Sequence, residues 1–177
     1  MSSSDRYGRV AILFHWSIAV LIVLAFALGL TVDLFPESWK GAAINTHSLI
    51  GLAVLVLSIL RLVWRRIHPI PEFSQSVGPF VRISAQVAHA ALYVLMILVP
   101  VVGIPTLLFR GRGLDFGFAQ IASPFERSKD IFGPLTQFHE FAAYALIALA
   151  AFHILAAVYH HRVLRDDTLR RISPWIP

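Results

Sequence analysis

The chain contains no cysteine. That absence excludes structural disulfides, thiolate-held iron–sulfur clusters, covalent c-type haem attachment and cysteine-ligated zinc, and leaves histidine as the only soft ligand in quantity. Charge is scarce as well: Asp, Glu, Lys and Arg make up 14% of the 177 residues and hydrophobic residues 57%, whereas soluble domains carry about a quarter charged residues. Such a composition is that of an integral membrane protein. There is no Walker motif, nucleophile elbow or carboxylate pair, and no internal repeat or low-complexity tract. The GRGLDFG stretch that starts at Gly111 is not G-x-G-x-x-G, follows no predicted strand, and reads as a turn-rich loop. The N-terminal MSSSDRYGR has no small-residue cleavage site, so the first apolar run is expected to be retained as a span.

Four runs meet the length of about 20 apolar residues that a spanning helix needs: Val10 to Val32, Ala42 to Trp64, Ile83 to Phe109 and Leu135 to Tyr159. Together they predict one all-α domain over residues 1–177, a membrane four-helix bundle. Pro100, Gly103 and Pro105 fall within the third run and predict a kink near its end rather than a break.

The excess of base over acid, 15 residues against 10, does not form a patch that would suggest nucleic acid. It collects at span ends. Arg6, Arg9, Arg61, Arg65, Arg66, Arg82, Arg162, Arg165, Arg170 and Arg171 lie on one side of the predicted bundle, and Lys40, Arg110, Arg112, Arg127 and Lys129 on the other. Ten against five places both termini of a multi-pass membrane protein in the cytoplasm. Trp16, Trp39, Trp64 and Trp175 fall near span ends, as interfacial aromatics should. The loops RRIHPIPEFSQSVGPF and RGRGLDFGFAQIASPFERSKDIFGP are expected to be ordered or semi-ordered surface segments.

Histidine is where the chemistry lies. His139 and His153 are fourteen residues apart in one apolar run, and fourteen residues turn about 1400° and rise about 21 Å, so the two share a face at two depths. Ionisable side chains within a span are costly, which makes such a pair a functional hypothesis. Under the predicted topology His15 lies at the depth of His153 near the cytoplasmic side, and His47 lies at the depth of His139 near the other. Two cross-helix pairs at two depths is the arrangement that bis-imidazole haem ligation in a bundle requires. Gly29, fourteen after His15, and Gly51, four after His47, provide room for a flat macrocycle, as does the alanine-rich fourth run.

His89 lies near the cytoplasmic level too, and from these considerations alone it competes with His15 or His153 as a ligand. His160 continues the stripe of His153 two turns on, and His161 turns away from it. His89 or His160 could handle protons beside the cytoplasmic pair, since imidazole titrates near neutral pH; an interfacial role beside Arg162 is the competing reading of His160 and His161. His68 reads as a loop residue, Glu140 as facing headgroups, and Arg61 as reaching along its helix to the surface or pairing with a haem propionate.

The early His15-Trp16 pair, the segment NTHSLIGLAVLVLSILRLVWR and above all HEFAAYALIALAAFHILAAVYHHRVLRDDTLRRISP resemble the bacterial cytochrome b561 family, and within it the four-helix dihaem members that oxidise superoxide. The resemblance runs from the first span to the C-terminal ISP and is weakest in the loop before Leu135. It implies that His15 and His153 ligate one haem b and His47 and His139 a second, and that His89 ligates neither. It also implies electron exchange with ubiquinone, with His160 matching a histidine associated with the quinone site. Superoxide would give its electron at the outer surface, drawn in by Arg110, Arg112, Arg127 and Lys129. Related four-helix cytochromes serve instead as haem b subunits that link a dehydrogenase partner to the quinone pool, and that is the second functional reading. A haem-free membrane scaffold whose histidines are packing residues is the third.

Replacing His47 or His139 by Ala should remove about one haem per chain and leave the other, measured as haem content and a reduced-minus-oxidised spectrum. Loss of both, or of neither, contradicts the pairing.

Overall fold

The computed structural model describes residues 6–68 and 78–175. It is all-α, with four helices long and apolar enough to cross a membrane: α1 (Arg9–Thr31), α2 (Glu37–Ile67), α3 (Pro79–Phe109) and α4 (Lys129–Tyr159). A spanning chain must satisfy every backbone polar group within itself, and continuous helices do so. Each of the last three is longer than its apolar run. α2 begins in the polar turn Glu37 to Lys40, α3 at Pro79, and α4 at Lys129. Pro79 occupies the first turn, where its missing N–H is no loss. α3 runs unbroken through Pro100 and Pro105, and α4 through Pro134. The middle of the α2–α3 connection, residues 69–77, lies outside the described residues, and with it most of the loop expected to be ordered.

The closest helix packing is α3 on α4, α1 on α2, and α2 on α3. The backbones of α1 and α4, and of α2 and α4, stand further apart and are bridged by side chains such as Phe26 against Tyr144, ring centres 5.5 Å apart. The apolar core is the cluster Ile18, Met96 and Leu146, supported by Ile22, Leu57 and Leu92. Leu146 is midway between His139 and His153 on the same stripe, so this cluster occupies the middle of the bundle and separates two levels. Large apolar side chains such as Leu13, Val94 and Phe152 are exposed on the outside, where the hydrocarbon of a bilayer is their solvent.

The two ends of the bundle are built differently. At the terminal end, which carries both termini, the backbone N–H of Tyr7 donates to the Arg171 carbonyl at 3.1 Å. There the short helix α5 (Thr168–Ile172) folds back against the start of α1: the Trp16 indole N–H donates to the Ile172 carbonyl at 3.0 Å, and Trp16 meets Trp175 edge to face.

At the opposite, loop end the α3–α4 connection is a small antiparallel hairpin, β1 (Leu114–Asp115) and β2 (Gln120–Ile121), where sequence reading expects only turns. It starts from a helix stop. The N–H of Gly111 donates to the Leu108 carbonyl and that of Arg112 to the Leu107 carbonyl, with Gly111 at φ 71°, the left-handed conformation that ends helices and that glycine adopts without strain. The Asn45 side chain of α2 then acts as a third strand. Its Nδ2 donates to the Asp115 carbonyl at 2.8 Å and its Oδ1 accepts from the Asp115 N–H at 2.9 Å. Asn45→Ala should leave both Asp115 backbone groups without partners at a cost of about 1–3 kcal/mol. The measurements are a lower thermal midpoint in detergent and faster limited proteolysis within 111–121; an unchanged cleavage rate would show that the hairpin stands without this anchor.

Candidate functional site

Four histidines on three helices meet in two pairs. His15 of α1 faces His153 of α4 with ring centres 6.3 Å apart and planes at 70°, and His47 of α2 faces His139 of α4 at 6.0 Å and 75°. Two imidazoles bound on opposite sides of one metal through nitrogens about 2 Å from it, with each ring centre roughly 1.1 Å further on, have centroids about 6 Å apart. Both pairs have that separation. His89 of α3 also meets His153, with ring centres 5.3 Å apart and planes at 68°. Each pair spans two helices whose backbones do not pack closely, which is where a flat macrocycle has room.

The loop-end pair shows how the chain orients an imidazole. His47 Nδ1 donates to the carbonyl of Ala25 at 2.9 Å, and His139 Nδ1 donates to the carbonyl of Val99 at 2.9 Å. A carbonyl only accepts, so each neutral ring carries its proton on Nδ1 and keeps the Nε2 lone pair free. This is the arrangement that metal-bound histidines use to fix tautomer and ring direction. Both rings reach their carbonyl over a glycine one turn further along the same helix. A Cβ on Gly29 would lie 3.1 Å from His47 Cε1, and a Cβ on Gly103 would lie 3.1 Å from His139 Cε1. Gly29 reads in the sequence as room for a macrocycle; here it makes room for the imidazole itself. Gly103 reads only as a helix irregularity, and the signal available was the shared four-residue step, Ala25 to Gly29 and Val99 to Gly103.

At the terminal end the pair is held differently. His15 Nδ1 is buried without a hydrogen-bond partner among the described residues, and the His15 ring stands edge-on to Trp16 at 5.4 Å. Beside it, the half-buried Arg61 and Arg65 each place a guanidinium 5.6 Å from the centre of the Tyr93 ring. A buried polar nitrogen and two cations without a carboxylate partner among the described residues are features that an anionic, metal-centred group between the helices would satisfy. The residues at both levels therefore fit a haem.

His160 lies beyond this pair, in the π-helical turn His160–Leu164, with Nδ1 2.5 Å from Asp166 Oδ2. Burial alone would raise the Asp166 pKa, but hydrogen bonds from His160 and Thr168 outweigh it and hold the carboxyl below its ordinary value. The carboxylate's contribution is thus present at neutral pH and is lost as the pH falls through this lowered value. Sequence reading missed Asp166, because a contact over six residues across an irregular turn follows no helical period. His68 is stacked on Trp64 at 3.6 Å at the end of α2, and Glu140 is exposed.

The basic residues of the loop end separate into two groups. Arg110, Arg112 and Arg127 line one cavity of about 450 Å³ with Ile44, Gly111 and Phe132. The Arg110 and Arg127 guanidiniums lie 5.2 and 5.7 Å from the centre of the Phe132 ring, and Arg110 Nη2 donates to Thr136 Oγ1 at 3.0 Å while its buried Nε has no partner among the described residues. None of the three has a carboxylate partner among the described residues. Lys129 is exposed at the start of α4 and does not line this cavity.

A family model described as prokaryotic cytochrome b561 matches residues 6–175. The chain is 30% identical to cytochrome b561 homolog 2 of Escherichia coli, over 97% of this chain and 93% of that protein. It is 29% identical to a probable superoxide oxidase of Yersinia pestis, over 96% of each, and 30% identical to a cytochrome b562 of Cereibacter sphaeroides, over 97% of this chain and 98% of that one.

Because the methyl group of Gly29→Ala or Gly103→Ala would press on an imidazole, either variant should disturb the loop-end pair and spare the other. The expected reading is loss, or a shifted potential, of one of two haem signals in a redox titration. Gly133→Ala in α4, where a Cβ meets nothing within 4 Å, is the control and should behave as wild type.

Proposed function

This chain belongs to the prokaryotic cytochrome b561 family, and from that premise we propose that it is a dihaem superoxide:ubiquinone oxidoreductase. Family membership and the four long apolar helices make it a bacterial multi-pass membrane protein of electron transfer that binds haem b. The finer reading rests on one observation: the two histidine pairs, each with the separation of two imidazoles on one iron, at opposite levels of the bundle.

In this reading His15 and His153 hold the haem of the terminal end, and His47 and His139 hold that of the loop end. When bound, the two haems supply one-electron carriage between the ends. The carbonyls of Ala25 and Val99 keep His47 and His139 aimed, so little reorganises as charge passes. If both histidines of a pair hold one haem, the chain would leave no open position for dioxygen, and the chemistry supplied there would be electron transfer alone.

The bias of Arg and Lys toward the terminal end puts that end in the cytoplasm and the cavity of Arg110, Arg112 and Arg127 outside. Three cations without acidic partners among the described residues raise the local concentration of a small anion and its rate of encounter. The Yersinia pestis relative bears the name of a probable superoxide oxidase, which agrees with superoxide as that anion. Ubiquinone accepts at the terminal end near His160, with His89 beside the pair as the second candidate. Two superoxide ions, one quinone and two protons become two dioxygen molecules and one quinol.

Stopped-flow reduction of the haem by superoxide, with and without a short-chain ubiquinone, tests this reading. Superoxide should reduce the isolated protein rapidly, quinone should reoxidise it, and raising the salt from low ionic strength should slow the first step. Arg110→Gln with Arg127→Gln should slow it several-fold and flatten the salt dependence while the spectrum stays unchanged. A rate indifferent to salt removes the steering role. Slow reduction by superoxide with rapid reduction by a dehydrogenase favours the electron-carrier reading instead.

A further inference from the structure

His160 and Asp166 are joined side chain to side chain, each 17% exposed. What brings them together is the way α4 ends. The helix widens into a π turn over His160–Leu164, and Arg165 then takes a left-handed backbone conformation, φ 54° and ψ 36°. Left-handed geometry is unfavourable for a residue with a Cβ, and it reverses the chain within one residue. The backbone N–H groups of Arg165 and Asp166 both point back to the His160 carbonyl, the second at 3.2 Å. His160 is thereby gripped twice, at its main chain and at its ring.

The second oxygen of Asp166 has a separate task. Oδ1 accepts from the Thr168 N–H at 2.9 Å and so opens α5, the segment whose Ile172 carbonyl holds Trp16 next to His15. One carboxylate therefore connects the His160 ring with the chain that closes the terminal end.

We propose that Asp166 is a positioning residue for quinone reduction, holding His160 with Nδ1–H toward the carboxylate and Nε2 toward the quinone. The proposal rests on the reading that His160 faces the quinone. A carboxylate on Nδ1 fixes which nitrogen is presented outward and stabilises the ring when it carries a second proton on Nε2. Reduction of quinone to quinol takes two electrons, which the electron-transfer activity of the protein supplies, and two protons. As one quinone oxygen gains its O–H bond the Nε2–H bond of His160 breaks, and the electron pair of that bond stays on the ring. Water at the terminal surface reloads Nε2 and protonates the far quinone oxygen. Asp166 keeps its own charge throughout and does not touch the substrate.

The test uses the full, haem-loaded protein, chemically reduced and then mixed with a short-chain ubiquinone, and follows haem oxidation. Asp166→Asn keeps an oxygen for Thr168 but presents an N–H₂ to His160, which moves the ring proton to Nε2 and blocks reloading. The maximal rate should fall about tenfold or more, while the half-saturating quinone concentration changes less than about twofold. Haem content, spectrum and reduction by superoxide should be unchanged, and Asp166→Glu should recover part of the rate. Asp166→Ser, which still accepts from Thr168 but is too short to hold His160, should match the Asn variant and replaces it if that variant loses haem.

A maximal rate within about twofold of wild type in the Asn or Ser variant overturns the proposal. So does a loss of rate accompanied by an equal rise in half-saturating quinone, which marks a site merely misfolded. His160→Ala, run in parallel, separates the two levels of inference. If it is slow and the Asp166 variants are not, only the role of Asp166 fails; if it reacts as wild type, the quinone reading of His160 fails and the proposal with it.

Discussion

An imidazole inside a membrane has two nitrogens to account for and no water to help. Everything distinctive about this bundle follows from how each histidine meets that requirement. His47 and His139 each give one nitrogen to a main-chain carbonyl of a neighbouring helix and keep the other free. An unpaired polar group in a low-dielectric interior costs about 1–3 kcal/mol, so a ring held this way is oriented by the same interaction that makes its burial tolerable. The helices in turn must come close enough for a ring nitrogen to reach backbone, which explains glycine at positions 29 and 103. The two rings so held then face each other across α2 and α4 with centres 6.0 Å apart.

The terminal end meets the requirement with other means. His15 leaves Nδ1 unpaired among the described residues and borrows its surroundings from Trp16, whose indole is fixed by the last turn of chain. The two levels are thus not copies of one another. The loop-end pair is set by helix backbone and is rigid by construction, whereas the other depends on a tail segment that folds over it. The Ile18, Met96 and Leu146 cluster lies between them as an apolar partition.

The sequence made much of this visible, and the reason is periodicity. Long apolar runs announce helices because a bilayer allows few alternatives, and fourteen residues between His139 and His153 translate directly into depth and face. The same logic put His15 at the depth of His153 and His47 at that of His139, while His89 stayed a competitor at the first level and only the family resemblance set it aside. Contacts without a period stayed hidden. Asn45 completing a strand pair at Asp115, the Schellman-type stop at Gly111 and the left-handed turn at Arg165 depend on single backbone angles and on side chains that meet across different elements. Asp166 belongs to the same class: it is one of two adjacent aspartates in a polar tail, and nothing in spacing distinguishes it from Asp167, which pairs with Arg170 instead. Arg110, Arg112 and Arg127 were legible as basic residues of one loop, but their gathering around one cavity, with Lys129 left outside it, is a property of the hairpin.

The tail that closes over Trp16 also imposes an order on assembly. Its contacts back to the start of the chain, from Trp16 to Ile172 and from Arg6 to the Ser173 carbonyl, bridge 156 and 167 residues. Such closures are the slowest kind to form, because the ends of a long chain must find each other. They also form after the spans, since residues 168–175 leave the ribosome only once all four have been made. During synthesis the bundle can therefore complete its loop-end level while the level of His15 and His153 is still uncovered. Residues 168–175 act as a door fitted after the room is built.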